Sequence, residues 1–324
     1  MGNIIILGSF VTDLVMRAPR FPHPGESLVG DEFGTFLGGK GFNQTIAARR
    51  LGASITLFGR IGNDSFGDDF LAALAREGID STYITRDPAV GTGVSCVIVA
   101  TNLGQNMIVT MLRANLTTTS EQVEAAMQQI LAHGTTSNGP DNPDIFLTQC
   151  ETSSIGMLTG LKLARAAGMT TILNAAPIPR EPLGDDLFSL VDILIVNETE
   201  AGALTGIAID SPTVAKVAAE QLLTLGPKHI IITLGAQGST WSTRESTETQ
   251  PTHQEIPAIP IKQVDATAAG DTFCGAFVAS LAQGMTMLEA LRRANAAGAL
   301  AATRMGALPS LPTLVQVEAL LRAL

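Results

Sequence analysis

Short apolar segments alternate with longer amphipathic segments along most of the chain. Residues 3–8 form an apolar run that ends in glycine, which predicts a buried strand. Similar short runs predict further strands at residues 55–58, 145–148, 170–174, 192–196 and 229–233. Helical spacing of apolar residues predicts helices at residues 42–51, 66–77 and 116–131. This alternation predicts an α/β fold in which helices flank both faces of a mostly parallel central sheet.

Three stretches depart from this alternation. Residues 21–36 combine Pro and Gly with alternating apolar residues, and residues 91–111 mix polar and apolar positions. We interpret the two as a small β lid, inserted at about residues 14–37 and 91–111 of a single domain that spans residues 1–324. Residues 133–144 show no periodicity and are predicted to form a loop.

Composition narrows the classes of function. The chain has 324 residues, 45% of them hydrophobic and only 15% charged, so it can bury a large core. A net charge of −10 argues against a nucleic-acid partner, which needs a basic surface. No apolar run has the length of a membrane span, so no membrane partner is expected. A local backbone nest can still bind phosphate on an acidic protein.

The cysteines and histidines indicate neither disulfides nor a metal site. Cys96, Cys150 and Cys274 are odd in number and lie in apolar surroundings, which is typical of reduced thiols in a cytoplasmic protein. The four histidines have no metal-ligand spacing. We therefore expect a cytoplasmic location.

Residues 264–277 (VDATAAGDTFCGAF) carry the strongest chemical signal. Small residues lead into Asp271, and Phe273, Phe277 and Leu281 then recur at a spacing of four, which predicts a helix that begins near Asp271. The N–H groups at a helix start can bind an anion, and a carboxylate beside them can accept a proton from a hydroxyl. On local pattern alone, an aspartate that only stabilises the helix start is the commoner interpretation.

Three other blocks accompany this stretch in a fixed order. They are residues 38–43 (GGKGFN), 197–200 (NETE) and 234–238 (LGAQG). With these blocks, the chain from Ile4 to about Pro312 resembles the ribokinase, or PfkB, family of sugar kinases. The resemblance implies a ribokinase-like fold and transfer of a phosphoryl group from ATP to a free sugar, foremost D-ribose at O5.

The resemblance also implies roles for particular residues. Asp271 would be the general base, and the backbone amides of Ala268, Ala269, Gly270 and Asp271 would form an anion hole. The sugar would contact the following residues, besides Asp271: Asp13, Gly39, Lys40, Gly41, Asn43 and Glu151. ATP would contact the following residues: Asn197, Thr233, Gly235, Gly238, Gly270 and Asn295.

Two cations are implied in the same way. Glu200 would act on Mg²⁺ through water, because Mg²⁺ keeps much of its hydration. K⁺ would be held largely by backbone carbonyls in two segments: Asp265, Thr267, Ala301, Arg304, Gly306 and Ser310.

Simpler interpretations exist for several of these residues. Asn197 and Glu200 have the spacing of a helix capping box, and Asn43 could cap the helix that it begins. Lys40 could be an ordinary surface cation. Asp13 comes five residues after Gly8, and we expect it in a loop at the carboxyl end of the first strand, where ligands of open α/β sheets gather.

The substrate and the oligomeric state remain open at this point. Val11, Phe42 and Arg113 stand at expected pocket-lining positions where ribokinases usually carry smaller or amide residues, so deoxyribose, another pentose or a nucleoside is an alternative substrate. A non-catalytic sugar-binding regulator is the alternative of a different class. Lid strands of the family commonly pair with a second subunit, and an exposed lid face with Leu28, Val29, Val97 and Val99 predicts a homodimer.

Overall fold

The computed structural model describes residues 2–132, 144–244 and 251–324. Its strands are β1 (Asn3–Gly8), β2 (Val11–Ala18), β3 (Glu32–Gly38), β4 (Ser54–Gly62), β5 (Ile84–Asp87), β6 (Gly93–Ala100), β7 (Gln105–Met111), β8 (Ile145–Gln149), β9 (Thr170–Asn174), β10 (Ile193–Asn197), β11 (His229–Thr233), β12 (Ser239–Thr243) and β13 (Thr252–Ile256). Its α-helices are α1 (Lys40–Arg50), α2 (Ser65–Arg76), α3 (Ser120–Ala132), α4 (Ser154–Ala166), α5 (Asp185–Phe188), α6 (Glu198–Thr205), α7 (Pro212–Leu223), α8 (Ala269–Ala282), α9 (Met287–Ala302) and α10 (Leu314–Arg322). Short 3₁₀ turns occupy Arg113–Thr117 and Gly235–Gln237.

Nine strands form the central sheet, in the order β13-β12-β11-β10-β9-β8-β1-β4-β5. All neighbouring strands from β11 to β5 are parallel, and β12 and β13 add an antiparallel edge. The predicted mostly parallel sheet is therefore confirmed, and the carboxyl ends of its parallel strands meet at one edge.

Both faces of this sheet are buried. Along β1, Ile4 and Ile6 pack into one core with α1, α8 and α9, whereas Ile5 and Leu7 pack into a second core with α3, α4 and α7. The side chains of a strand alternate between the faces of its sheet, so a strand covered on both faces has a continuous apolar sequence. This explains why the apolar run of residues 3–8 predicted β1 with its correct bounds.

The remaining strands form a small separate sheet in the order β3-β2-β6-β7. β2 and β6 pair in parallel, and β3 and β7 add antiparallel edges. These strands lie within or beside the two ranges predicted for the lid. β3 ends at Gly38, immediately before α1 begins, so the small sheet leads directly into the first helix of the core.

Several predicted boundaries need correction. The helix predicted at residues 116–131 begins only at Ser120, because the chain first makes the 3₁₀ turn Arg113–Thr117. The predicted loop at residues 133–144 lies outside the described residues, apart from Asp144. No helix in the described part of the chain is both long and apolar enough to cross a membrane.

An aromatic cluster joins the segment between β1 and β2 to α1 and α2 inside the first core. The rings of Phe10, Phe42 and Phe70 lie 4.9–6.4 Å apart between centroids, and all three side chains are fully buried. The expectation that Phe42 lines the substrate pocket is wrong, because its ring fills this core. Val11 is also buried, with 2% exposure.

The aromatic cluster predicts a large loss of stability for Phe42→Ala. Truncating a buried Phe removes its contacts and leaves a cavity, so the free energy of unfolding should fall by about 3–5 kcal/mol. Chemical denaturation measures this change. Val315→Ala, at a valine that is 71% exposed, is the control and should stay within about 0.5 kcal/mol of the parent. A loss of under about 1 kcal/mol for Phe42→Ala would contradict the packing described.

Candidate active site

Asp271 lies in the first turn of α8 and is almost fully buried. The preceding Ala268 has φ of 59°, a left-handed conformation that non-glycine residues rarely adopt. The N–H of Ala269 donates to Ala266 O at 3.1 Å. This bond occupies one N–H group of the predicted anion hole. The N–H groups of Gly270 and Asp271 lie in the first turn of α8, where no carbonyl of the helix can accept from them.

Two amide side chains of α1 hold the carboxylate of Asp271. Asn43 Nδ2 donates to Asp271 Oδ2 at 2.9 Å, and Gln44 Nε2 donates to Asp271 Oδ1 at 3.1 Å. Both amides are buried. The predicted meeting of the 38–43 block with Asp271 is therefore seen in the structure, and each carboxylate oxygen has a fixed donor.

The start of α1 is pressed against the end of β1. A Cβ on Gly41 would lie 2.2 Å from Gly8 Cα and from Ser9 N, so only glycine fits there. Glu151 Oε2 accepts hydrogen bonds from Lys40 N at 2.8 Å and from Ser9 Oγ at 2.6 Å. Glu151, two residues past the end of β8, thus anchors the first turn of α1.

Lys40 is surrounded by carboxylates. Burial alone would lower the pKa of its ammonium, but the negative charges of Asp271, Glu151 and Glu200 outweigh this effect and raise the pKa above its usual 10.5. Burial raises the pKa of Glu151, with Lys40 opposing, and it raises the pKa of Glu200. Lys40 is half-buried and is the cation of a charge cluster that includes the buried Asp271 and Glu151, rather than an isolated surface cation.

Asp13 does not lie in a loop, as the sequence suggested, but inside β2. Its carboxylate accepts a short hydrogen bond from Ser95 Oγ of β6. A Cβ on Gly38 would lie 2.5 Å from Asp13 Oδ2, so this carboxylate covers the glycines that precede α1. Burial raises the pKa of Asp13, the bond from Ser95 opposes this rise, and the charge of Asp271 adds to it.

A cavity of about 530 Å³ lies on the other side of the α8 first turn. It is lined by five of the residues predicted to contact ATP, namely Thr233, Gly235, Gly238, Gly270 and Asn295. Its size is in the range of cavities that enclose a small-molecule ligand or cofactor. Gly270 faces this cavity while the next residue, Asp271, contacts α1.

Asn197 does not line that cavity but caps α6. Its side chain accepts from Glu200 N at 2.8 Å, and Glu200 Oε2 accepts from Asn197 N at 2.9 Å. The capping box considered from the sequence is thus formed. Glu200 nevertheless lies close enough to Lys40 and Asp271 to interact with both charges.

The two segments proposed to hold K⁺ lie side by side. Asp265 Oδ2 accepts from Gly306 N at 2.9 Å, and Asp265 Oδ1 accepts from Thr267 N at 2.9 Å. Arg304 N donates to Ala301 O at 3.1 Å, and Ser310 Oγ donates to Ala307 O at 2.7 Å. Among the described residues, no group of three or more His, Cys, Asp or Glu side chains could hold a metal by itself.

Arg113, which was also expected to line the pocket, makes a structural contact. Its guanidinium donates to Thr92 O at 3.1 Å and lies against Gly91. It therefore ties the 3₁₀ turn to the start of β6.

Polar residues that were not predicted from the sequence lie around Asp13, Asp271 and Glu151. They are Ser9, Gln44, Ser95, Gln149 and Asn174. Three of these lie at the carboxyl ends of β1, β8 and β9, where the sheet topology gathers ligands, so their position after apolar runs was the available signal.

Two buried amide oxygens of the site, Asn43 Oδ1 and Gln149 Oε1, have no hydrogen-bond partner among the described residues. Asn43 Oδ1 is inaccessible and makes no hydrogen bond, while the Nδ2 of the same amide contacts Asp271. Buried polar atoms are nearly always paired, so a free acceptor beside a carboxylate indicates a ligand that donates hydrogen bonds. A polyol has such donors.

Comparison with known proteins identifies a family of carbohydrate kinases. A family model described as pfkB family carbohydrate kinase matches residues 1–314. The ribokinase of Mus musculus is 37% identical over 313 residues, which cover 95% of this chain and 91% of the relative. The ribokinase of Staphylococcus aureus is 36% identical over 319 residues, covering 98% and 99%. The solved structure of Arabidopsis thaliana ribokinase complexed with ribose and ATP has a TM-score of 0.83 and 29% identity, covering 99% of both chains.

The charge cluster predicts how stability depends on pH. The folded protein binds the Glu151 proton more tightly than the unfolded chain does, since burial holds the pKa of Glu151 above 4.5. The free energy of unfolding therefore loses this contribution as pH rises above 4.5 through the folded-state pKa. Glu151→Gln removes the effect, so its stability relative to the parent should increase between about pH 5 and pH 7.5 in chemical denaturation.

Glu26→Gln is the matched control for this measurement. The hydrogen bond from Arg20 lowers the pKa of Glu26 to about 2 from its usual 4.5. The stability that this carboxylate contributes is therefore complete above pH 4.5 and is lost only as pH falls. Its difference from the parent should stay constant over the same range. An equally constant difference for Glu151→Gln would contradict the assignment.

Proposed function

The chain belongs to the pfkB family of carbohydrate kinases, and from this premise we propose that it transfers the γ-phosphoryl group of ATP to O5 of D-ribose. One observation carries the proposal: Asp271 and Gly270, consecutive residues of one helical turn, serve two sides of the site. Asp271 contacts Asn43, whose second polar atom is an unpaired buried acceptor. Gly270 lines the cavity of nucleotide size. The acceptor hydroxyl and the γ-phosphate can therefore meet at the start of α8.

The chemistry follows from this arrangement. The ionised carboxylate of Asp271 accepts the proton of the ribose hydroxyl, and the oxygen attacks the γ-phosphorus while the bond to ADP breaks. The N–H groups of Gly270 and Asp271, at the positive end of the helix dipole, stabilise the charge on the transferred group. Phosphoryl transfer needs little else besides orientation and charge neutralisation.

The residues around Asp271 suit a small polyol. Asp13, Glu151 and Asn43 offer acceptors, and Lys40 offers a donor. The glycines at positions 39 and 41 let the segment that carries Lys40 pack closely against Ser9 and so bring these groups together. We assign these residues to ribose. Lys40, which is half-buried and interacts with the charge of Asp271, would also attract the transferred phosphoryl group.

The charges of the site support a role for Mg²⁺. Asp13, Glu151, Glu200 and Asp271 supply four carboxylates against the single ammonium of Lys40. A triphosphate entering this field needs accompanying positive charge, which Mg²⁺ supplies. Glu200 would hold it through water, since one carboxylate with substrate phosphates is the usual protein contribution to such a site.

A 2-deoxy sugar is the second candidate. Val11, paired with Gly38 beside the proposed sugar site, has no polar side-chain atom for a sugar hydroxyl, whereas the resemblance led us to expect an amide at this position. The other proposed sugar contacts do not distinguish the two sugars.

A substrate panel tests the proposed function. ATP consumption would be measured with ribose, 2-deoxyribose, other pentoses and nucleosides. We expect the highest kcat/KM with ribose. A higher value with deoxyribose would select the second candidate. Sugar binding without any turnover would indicate a non-catalytic sugar-binding protein and contradict the proposal.

The role of Asp271 predicts a specific defect for Asp271→Asn. The amide cannot accept the hydroxyl proton, so kcat should fall by about 10²–10⁴-fold. Calorimetry should show ribose binding largely retained, because the amide keeps the shape of the side chain. Near-normal kcat would mean that Asp271 only stabilises the start of α8.

The small sheet supports the proposal of a homodimer. Strand register places Leu14, Met16 and Phe33 on one face together with Cys96, Ile98, Met107 and Val109. Phe33 and Val109 are 68% and 65% exposed. Val97 and Val99, expected on this face, instead line a cavity toward Asp265. Exposed apolar faces of this kind mark interaction sites.

Val109→Asp should therefore convert a dimer into a monomer, because it introduces a charge into the apolar face. Sedimentation velocity at micromolar concentration measures the change. Val217→Asp, at an exposed valine of α7, is the matched control and should remain dimeric. A monomeric parent would contradict the proposal.

We also propose that K⁺ activates the enzyme. The hydrogen bond from Gly306 to Asp265 holds together the two segments assigned to the ion. Asp265 is followed closely by Ala268–Gly270, so an ion held there by backbone carbonyls would stabilise the backbone of the anion hole. Such an effect acts on the transition state rather than on the sugar.

K⁺ is accordingly expected to raise kcat more than it lowers the KM for ribose. It should also be more effective than Na⁺, since a site of several carbonyls suits the larger, more weakly hydrated ion. Steady-state kinetics at matched ionic strength, with a bulky organic cation as control, measures both effects. Equal kcat in all three salts would contradict the assignment.

A further inference from the structure

A chain of buried amides leads from the central sheet to Asp271. Asn174 Nδ2 donates to Ile195 O at 3.1 Å, and Gln44 Nε2 donates to Asn174 Oδ1 at 2.9 Å and to Asp271 Oδ1 at 3.1 Å. Gln149 Nε2 donates to Gln44 Oε1 at 2.8 Å. Gln44 and Gln149 are fully buried. The proposed reaction uses none of these three amides directly.

The direction of every bond in this chain is determined. The carbonyl of Ile195 can only accept, so Asn174 must present its NH₂ group there and its oxygen toward Gln44. Gln44 must then present its NH₂ group to Asn174, and its second hydrogen reaches the carboxylate of Asp271. If the Gln44 amide were reversed, its oxygen would face two acceptors, Asn174 Oδ1 and Asp271 Oδ1. The NH₂ group of Gln149 would then face the NH₂ group of Gln44.

Helix packing brings Gln44 to this position. Gly275 lies one turn after Asp271 in α8, and a Cβ there would be 2.5 Å from Gln44 O and 2.6 Å from Ala47 Cβ. The glycine thus allows α1 and α8 to approach closely beside Asp271. The amide of Gln44 is therefore held by the core and not by the substrate.

We propose that Gln44 is a positioning residue for Asp271, and that Gln149 and Asn174 hold the Gln44 amide in the orientation that donates to the base. Gln44 holds Oδ1 while Asn43 holds Oδ2, so the carboxylate cannot rotate without losing a bond. Lys40 is the competitor, because its nearby charge attracts Asp271. Without Gln44, the carboxylate can turn toward Lys40 and away from the hydroxyl. This inference rests on the proposed function.

Three variants test the proposal by steady-state kinetics with ribose and ATP. Gln44→Ala removes the donor, and a misplaced base should lower kcat by about 10–100-fold while the KM for ribose changes less. Gln149→Met removes only the bond that fixes Gln44 and should lower kcat in the same direction by a smaller factor. Gln44→Glu keeps the size of the side chain but can donate only when it is protonated.

The pH dependence of Gln44→Glu separates positioning from a structural role. Two carboxylates in one buried site cannot easily both ionise, so the new side chain should share a proton at low pH and lose it as pH rises. The ratio of parent kcat to variant kcat should therefore increase with pH. A structural defect would lower the stability in chemical denaturation and leave this ratio constant.

Gln283→Met is the matched control. Gln283 also joins α8 to α1, because its Nε2 donates to Leu51 O at 2.9 Å, but it lies twelve residues from Asp271, about 18 Å along the helix. We expect a loss of stability with unchanged kcat and an unchanged pH profile.

The possible outcomes are distinct. Unchanged kcat in Gln44→Ala and Gln149→Met, or a pH-independent ratio for Gln44→Glu, would overturn the inference and leave the proposed function standing. If Gln44→Ala does not fold, the ratio for Gln44→Glu decides. A parent protein that phosphorylates no sugar would overturn the proposed function and this inference together.

Discussion

The site depends on burying the charge of Asp271 at the point where α1 and α8 meet. A buried carboxylate is unfavourable unless it is paired and hydrogen-bonded. Here Asn43 and Gln44 supply hydrogen bonds, and the Lys40 ammonium supplies opposite charge. Lys40 in turn is balanced by further carboxylates, of which Glu151 also binds its backbone N–H. Removing one member therefore leaves another charge uncompensated, which explains why this region is polar within an otherwise apolar core.

Close packing makes this arrangement possible. Gly41 lets α1 begin against β1, and Gly275 lets α8 approach α1. At the α8 start, Gly270 then faces the cavity proposed for ATP, and Asp271 faces the residues proposed to bind the sugar. The small sheet adds Asp13, whose carboxylate lies against Gly38. One helical turn can thus bring the donor and the acceptor of the phosphoryl group together, because the adjacent residues Gly270 and Asp271 face the two proposed ligands.

The sequence correctly predicted the elements whose local pattern of apolar residues matches their burial in the folded protein. β1, β9 and β11 have their predicted bounds because each has an apolar centre, buried between the two layers of helices, with polar residues or glycine at its ends. Asp13 was misplaced in a loop, because its strand belongs to a second sheet whose partners come from distant residues. Phe42 was expected in the pocket from its neighbours in the motif, yet its helical position faces Phe10 and Phe70. Gln44 could not be recognised, because its role depends on Gln149 and Asn174, more than a hundred residues away.

The central claim is that the start of α8 brings the ribose 5-hydroxyl to the γ-phosphoryl group of ATP. Proton-coupled ³¹P NMR of a reaction containing the purified protein, ribose, ATP and Mg²⁺ tests it directly. The account predicts a new phosphomonoester signal split into a triplet, because carbon 5 carries two hydrogens, in amounts equal to the ADP formed. A doublet from phosphorylation at carbon 1, or inorganic phosphate as the only new product, would contradict it.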